Sequence, residues 1–221
     1  MNTIKIAHGS TRMVAHRGVS RLETENTMLS FVAAANRSYF GIETDVRVTG
    51  DGEFILCHDE TTERLSGVAL IPEQSTLAEL RALVLRDLGE ENGNAALRLP
   101  TVEEYIRVCK KYEKECVLEL KTEMDEATTA RLLARIEALG YTEHVIFISF
   151  LWEDLVHVRH LLPSARIQYL FGGRNEPTVE ALREMRFDVD VHHSCLSKEK
   201  VEEYHAAGIE VSHQGLEPMR F

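Results

Sequence analysis

Short runs rich in β-branched and apolar residues alternate with amphipathic helical segments along nearly the whole chain from MVAHRG onward. Strand-forming runs lie at Met13 to Ala15, Gly41 to Val48, Cys116 to Lys121, Val145 to Phe150, Arg166 to Phe171, Asp188 to His193 and Ile209 to Ser212. Helical periodicity occupies Thr27 to Arg37, Thr101 to Tyr112, Glu126 to Leu139, Glu153 to Leu162, Pro177 to Met185 and Ser197 to Ala207. Strand and helix in strict succession favour a parallel sheet, because parallel neighbours need a crossover between them. The strand count favours closure over an open sheet, so the expected fold is α/β, a TIM-type (β/α) barrel. With 221 residues, 44% of them hydrophobic, the chain can bury one sizeable core, and a single domain over residues 1–221 is expected.

Residues 49–100 break the rhythm, being far longer than the ~2–6 residues that usually join strand to helix. They are expected to form an inserted subdomain after the second strand. Within it GEFILCHDE reads as a short strand ending at His58, STLAELRALVL as a helix capped by Ser75 or Thr76, and EENGNA as a turn. Excursions from strand to helix build the active-site face of a barrel, so this one can deliver His58 there.

Chemistry concentrates on two of the strands. Glu43 and Asp45 in GIETDVRV, and Glu119 and Lys121 in CVLELKTE, are spaced two apart, so each pair shares one face of its strand. At about 4 Å and an effective dielectric near 20, each like-charge contact costs roughly 4 kcal/mol, so three converging acids call for a cation or a proton. His16 and His58 are the side chains best suited to exchange protons near neutral pH. From spacing alone, Glu43 and Asp45 fit a solvated strand face equally well, and Glu119 with Lys121 fits a plain ion pair. Arg17 could pair with an acid such as Glu43. His58 and Asp59 are neighbours on the expected strand and so point to opposite faces, which gives no reason for a dyad. Asn26 is expected to cap the first helix. His157 and His160 read as surface or packing residues, His192 or His193 as reaching the mouth, and Trp152 as lining a groove or packing beneath its helix.

Bulk properties exclude several classes. A net charge of −11 opposes a nucleic-acid surface, which would need clustered Lys and Arg. No run approaches the ~18 apolar residues of a membrane span, and MNTIKIAHGSTR lacks a secretory signal's order, so the cytoplasm is the default location. Cys57, Cys109, Cys116 and Cys195 have no metal-type spacing and read as reduced structural residues.

AHRG, ENT at Glu25 to Thr27, the E-x-D of Glu43 and Asp45, HD at His58 and Asp59, then DETTERLSG, STLAEL, LPTVEEY and the E-x-K of Glu119 and Lys121 occur in an order that resembles the glycerophosphodiester phosphodiesterase family. The match covers about residues 13 to 211. It implies metal ligands at Glu43, Asp45 and Glu119, an acid and base at His16 and His58, and phosphate contacts from Arg17 and Lys121. An all-oxygen donor set suits a hard divalent cation, Mg²⁺ or Ca²⁺. The implied reaction splits a small-molecule glycerophosphodiester into glycerol 3-phosphate and an alcohol such as choline or ethanolamine.

Members of that family usually continue past the segment matching AAGIEV with a further helix and strand, whereas this chain reads VSHQGLEPMRF. The expectation is a barrel truncated before its last helix and strand, with bare edges beside the first and seventh strands. Either the N-terminal TIKIAHG or a second subunit packed gap to gap is expected to cover them, unless the chain is a truncated product. The rival functions are a catalytically impaired barrel kept as a binding or assembly module and a phospholipase-like phosphodiesterase.

Overall fold

A computed structural model of the protein describes residues 3–7, 9–88 and 93–214. Seven strands run parallel in the order β1 (Val14–Ala15), β2 (Gly41–Val48), β4 (Glu115–Leu120), β5 (Val145–Ser149), β6 (Arg166–Phe171), β7 (Asp188–His192) and β8 (Val211–Gln214). The remaining strand, β3 (Phe54–Leu56), pairs antiparallel with the end of β2, Val46 opposite Leu56. The expected barrel strands all form, with ends that differ from the sequence reading by one or two residues.

The crossovers are α1 (Met28–Ala35), α4 (Val102–Tyr112), α5 (Glu126–Ala138), α6 (Trp152–Leu161), α7 (Val179–Met185) and α8 (Lys198–Ala206); α2 (Glu63–Ser66) and α3 (Leu77–Ala82) lie in the excursion after β2. Local chemistry sets where several of them begin. Thr27 with Ser30, Thr76 with Glu79 and Thr101 with Glu104 form reciprocal capping boxes, and Asp125 accepts from Thr128 N–H. Thr27, not Asn26, therefore caps α1, and Thr76 caps α3.

Strand alternation sorts the two faces of the sheet. Ile42, Val46, Leu118, Phe147 and Val189 join Phe31, Ile106, Leu132 and Leu155 of the helices in one large apolar cluster. Each such side chain contributes about 1.5–3 kcal/mol by leaving water. Val117, Ile148 and Leu170 form a separate small cluster. Glu43, Asp45 and Glu119 alternate with the helix-facing residues and so turn to the opposite face. Residues 49–100 carry β3, α2 and α3 around an apolar cluster of their own, with Ile55, Leu65, Leu80, Leu85 and Leu97 buried.

β1 and β8 are the ends of the strand path and do not pair with each other among the described residues. Near their starts Arg12 reaches Glu210 at 2.8 Å. Among the described residues the N-terminal segment pairs with the chain just after α1 and not with β1 or β8: Thr3 and Ile4 N–H donate to Asn36 C=O, and Ser38 N–H donates to Ile4 C=O. Glu90 to Asn92 of the expected turn and residues 215–221 lie outside the described residues. Among the described residues, no helix is long and apolar enough to cross a membrane.

Candidate active site at the barrel mouth

The acid cluster follows from strand register. Asp45 on β2 lies directly opposite Glu119 on β4, and Glu43 shares Asp45's face two residues earlier. All three are buried, at 4%, 0% and 5% exposure, and one oxygen from each lies within 4.8 Å of the others. Some oxygens have donors: Arg17 N–H to Glu43 Oε2 at 2.8 Å, Asn26 Nδ2 to Asp45 Oδ2 at 2.8 Å, and Lys121 Nζ to Glu119 Oε1 at 2.9 Å. Glu43 Oε1 and Asp45 Oδ1 are buried with no hydrogen-bond partner among the described residues.

Burial first, then the charges of Asp45 and Glu119, push the Glu43 carboxyl far above its usual range; burial and Asp45 raise Glu119 to about 7. Oxygen-only donors, mutual repulsion and unpartnered buried oxygens fit a hard divalent cation, which would supply the missing counter-charge. Lys121 Nζ, 3.9 Å from Asp45 Oδ1, offsets part of that repulsion.

His16 follows β1 by one residue, which sets it beside Glu43, Nε2 to Oε2 at 3.9 Å. Burial, and next the neighbouring Arg17 charge, lower its pKa. The chain then reverses sharply, with Arg17 at φ 52° and Gly18 at φ 76°. A Cβ on Gly18 would lie 2.4 Å from Ser30 Oγ, so the reversal requires glycine. Ser30 Oγ and Asn26 N–H both donate to Arg17 C=O. Arg17 does not bind Glu43 through its guanidinium; its backbone does, while Nη1 reaches Glu25 at 2.9 Å and Nε lies 3.6 Å from Asp45.

His58 lies just past β3, which ends at Leu56 and not at His58. Strand alternation therefore stops applying, and His58 Nδ1 pairs with Asp59 Oδ1 at 2.9 Å, a dyad that alternation along a strand would not form. Arg64 Nε donates to Asp59 Oδ2 at 2.6 Å, and its two terminal nitrogens bind both oxygens of Glu25 at 3.0 and 2.8 Å. Charges thus alternate through Arg17, Glu25, Arg64 and Asp59 to His58. The Arg64 hydrogen bond, helped by His58, pulls Asp59 down to about 2. Glu25 lies in ENT and Arg64 in DETTERLSG, and only the family resemblance marks either residue in the sequence.

Asn26 is buried with φ 50°, and its side chain bridges Asp45 and the Thr44 hydroxyl, a site contact in place of the expected cap. His157, His160, Trp152 and His192 take packing or surface positions. His157 Nδ1 meets Met124 C=O at 2.9 Å, and His160 pairs with Glu126 at the surface. Trp152 packs edge-on against Tyr169 and Phe187 beneath its helix. His192 is exposed and meets Ser194 Oγ at 2.7 Å. Cys57, Cys109 and Cys116 are buried free thiols, but Cys195 is exposed, contrary to a uniform packing role.

A parallel strand path wrapped by helices, with three buried acids beside imidazoles and cations, defines a (β/α)-barrel enzyme. A family model for the glycerophosphoryl diester phosphodiesterase family matches residues 16–214. A glycerophosphodiester phosphodiesterase from Caldanaerobacter subterraneus is 32% identical over 78% of this chain and 72% of its own. Among solved structures, an Oleispira antarctica phosphodiesterase in complex with the product sn-glycerol-3-phosphate superposes with a TM-score of 0.82 and 25% identity, over 94% of this chain and 85% of that one. A glycerophosphodiester phosphodiesterase from Thermotoga maritima, 24% identical, shares the fold with a TM-score of 0.76 over 96% and 88% of the two chains. This chain belongs to the glycerophosphoryl diester phosphodiesterase family, whose members are phosphoric diester hydrolases.

Proposed function

We propose that this protein hydrolyses glycerophosphodiesters to glycerol 3-phosphate and an alcohol, using His16 and His58 as the acid–base pair and Glu43, Asp45 and Glu119 to hold Mg²⁺ or Ca²⁺. The observation that carries this reading is the approach of three buried carboxylates to within 4.8 Å beside His16, two of their oxygens lacking any donor. When bound, the ion supplies positive charge that offsets the carboxylates and polarises a phosphoryl oxygen.

The chain's own residues do the rest. Arg17 and Lys121 present cationic donors to the phosphate, and Arg17 Nε, buried without a hydrogen bond among the described residues, is available to a phosphate oxygen. Asp59 accepts from His58 Nδ1, which favours the tautomer with a basic Nε2. One imidazole takes the proton of the nucleophile, either water or the adjacent glycerol hydroxyl. The other gives its proton to the alcohol oxygen as the phosphorus–oxygen bond breaks. In this reading the chain is one domain and residues 49–100 are the insertion that brings His58 to the site.

His16→Ala and His58→Ala should each lower kcat with glycerophosphocholine by about 10²–10⁴-fold while the protein stays folded. Near-wild-type turnover by both variants with excess cation would remove the acid–base assignment.

A further inference from the structure

Acid–base chemistry needs its ring held to a fraction of an ångström, yet His58 sits on a segment without regular structure. Its contact with Asp59 orients the ring relative to its own segment, not the segment relative to the acids. Arg64, which steadies Asp59, is half exposed, where ion pairs hold weakly.

Arg47 offers the missing hold. It lies on β2 two residues beyond Asp45, is 6% exposed, and stands opposite Ile55 of β3. Nε donates to Cys57 C=O at 3.1 Å and Nη2 to His58 C=O at 2.9 Å, so the planar fork grips two successive carbonyls. Nη1 reaches Glu73 at 2.8 Å, and Cys57 N–H donates to Asp45 C=O at 3.0 Å. The backbone bearing His58 is thereby tied to the strand that bears Glu43 and Asp45.

We infer that Arg47 is a positioning residue that sets His58 against the acid cluster by fixing the Cys57 and His58 carbonyls to β2. The inference rests on the proposed role of His58. It separates the two carbonyl contacts, which serve the chemistry, from the Glu73 contact, which serves the packing of the insertion.

The test compares Arg47→Lys, Arg47→Met, Glu73→Gln, His58→Ala and the Arg47→Met/His58→Ala double variant in turnover of glycerophosphocholine with Mg²⁺ or Ca²⁺. Arg47→Met and Arg47→Lys should lose on the order of 10–100-fold in kcat, with KM and cation dependence within about threefold of wild type. Glu73→Gln should stay within about threefold of wild type, and Arg47→Met should cost nothing further once His58 is alanine. Wild-type kcat in Arg47→Met, or losses that multiply in the double variant, would overturn the inference. Imidazole ¹⁵N spectra need no turnover: a single ordered His58 ring in the wild type should become averaged in Arg47→Lys. Unchanged His58 signals would overturn the inference even if no glycerophosphodiester proves to be a substrate, an outcome that would separately remove the proposed function. Should Arg47→Met fail to fold, Arg47→Lys carries both readouts.

Discussion

Gly18 shows how much one residue at the mouth carries. It combines φ 76° with backbone and side-chain atoms of Ser30 where a Cβ would sit. Gly18→Ala should therefore cost on the order of 2–4 kcal/mol in urea unfolding, since conformational strain and a steric clash add; a loss below about 0.5 kcal/mol would mean that the turn relaxes freely. Asp154 is a different kind of strained residue. It is buried in the first turn of α6, with Oδ1 accepting from Met124 N–H at 3.1 Å and Oδ2 unpartnered. Burial raises its carboxyl from the ordinary 3.8 to about 6. Between those values the folded state keeps a proton that the unfolded chain has released, so this residue's contribution to stability is full below pH 3.8, falls as pH rises and is gone above about 6. Asp154→Asn keeps the acceptor and removes the charge. Its melting temperature should match wild type near pH 4 and exceed it near pH 7, by on the order of 1 kcal/mol of stability; equal melting at both would show that Asp154 is not held neutral.

At the scale of elements, β2 and β4 are where function opposes stability. Their register sets Asp45 against Glu119, a like-charge pair inside a sheet, with Glu43 alongside. In chelator near pH 7, Glu43→Gln should melt above wild type, because the amide need not take up a proton to enter this buried acidic cluster as the raised carboxyl must. Adding Mg²⁺ or Ca²⁺ at about 100 times Kd should stabilise wild type by roughly 2.7 kcal/mol and Glu43→Gln far less. A variant stabilised as much as wild type would exclude Glu43 from the metal site. These strands were readable in advance because their alternation is long and consistent, and E-x-D and E-x-K put both pairs on one face. The end of β3 was not. Two residues of misjudged strand length placed His58 and Asp59 on opposite faces, when leaving the strand at Leu56 frees them to pair. Asn26 and Thr27 posed a similar ambiguity, since both are good capping types; Thr27 took the cap because Asn26 spends its side chain on Thr44 and Asp45.

Across the whole molecule the barrel packs its apolar core on the helix-facing layer, while its inner face carries the small Val117, Ile148 and Leu170 cluster and the charged groups. The parallel order and the long excursion after the second strand were legible because strand and helix periods alternate along the chain. The ion-pair chain was not, because Glu25 and Arg64 stand 39 residues apart and meet only when the excursion folds over the loop after β1. The same excursion brings His58 toward a site whose acids come from β2 and β4 and whose first imidazole follows β1. Three separately delivered groups would then act on one phosphodiester, and a cation would let the acids coexist. Phosphorus NMR of glycerophosphocholine incubated with chelator-treated protein, before and after Mg²⁺ or Ca²⁺ is restored, tests this most directly. No conversion in chelator and formation of glycerol 3-phosphate on restoring the ion is the predicted result; conversion undiminished by chelator, or none under any cation, would contradict it.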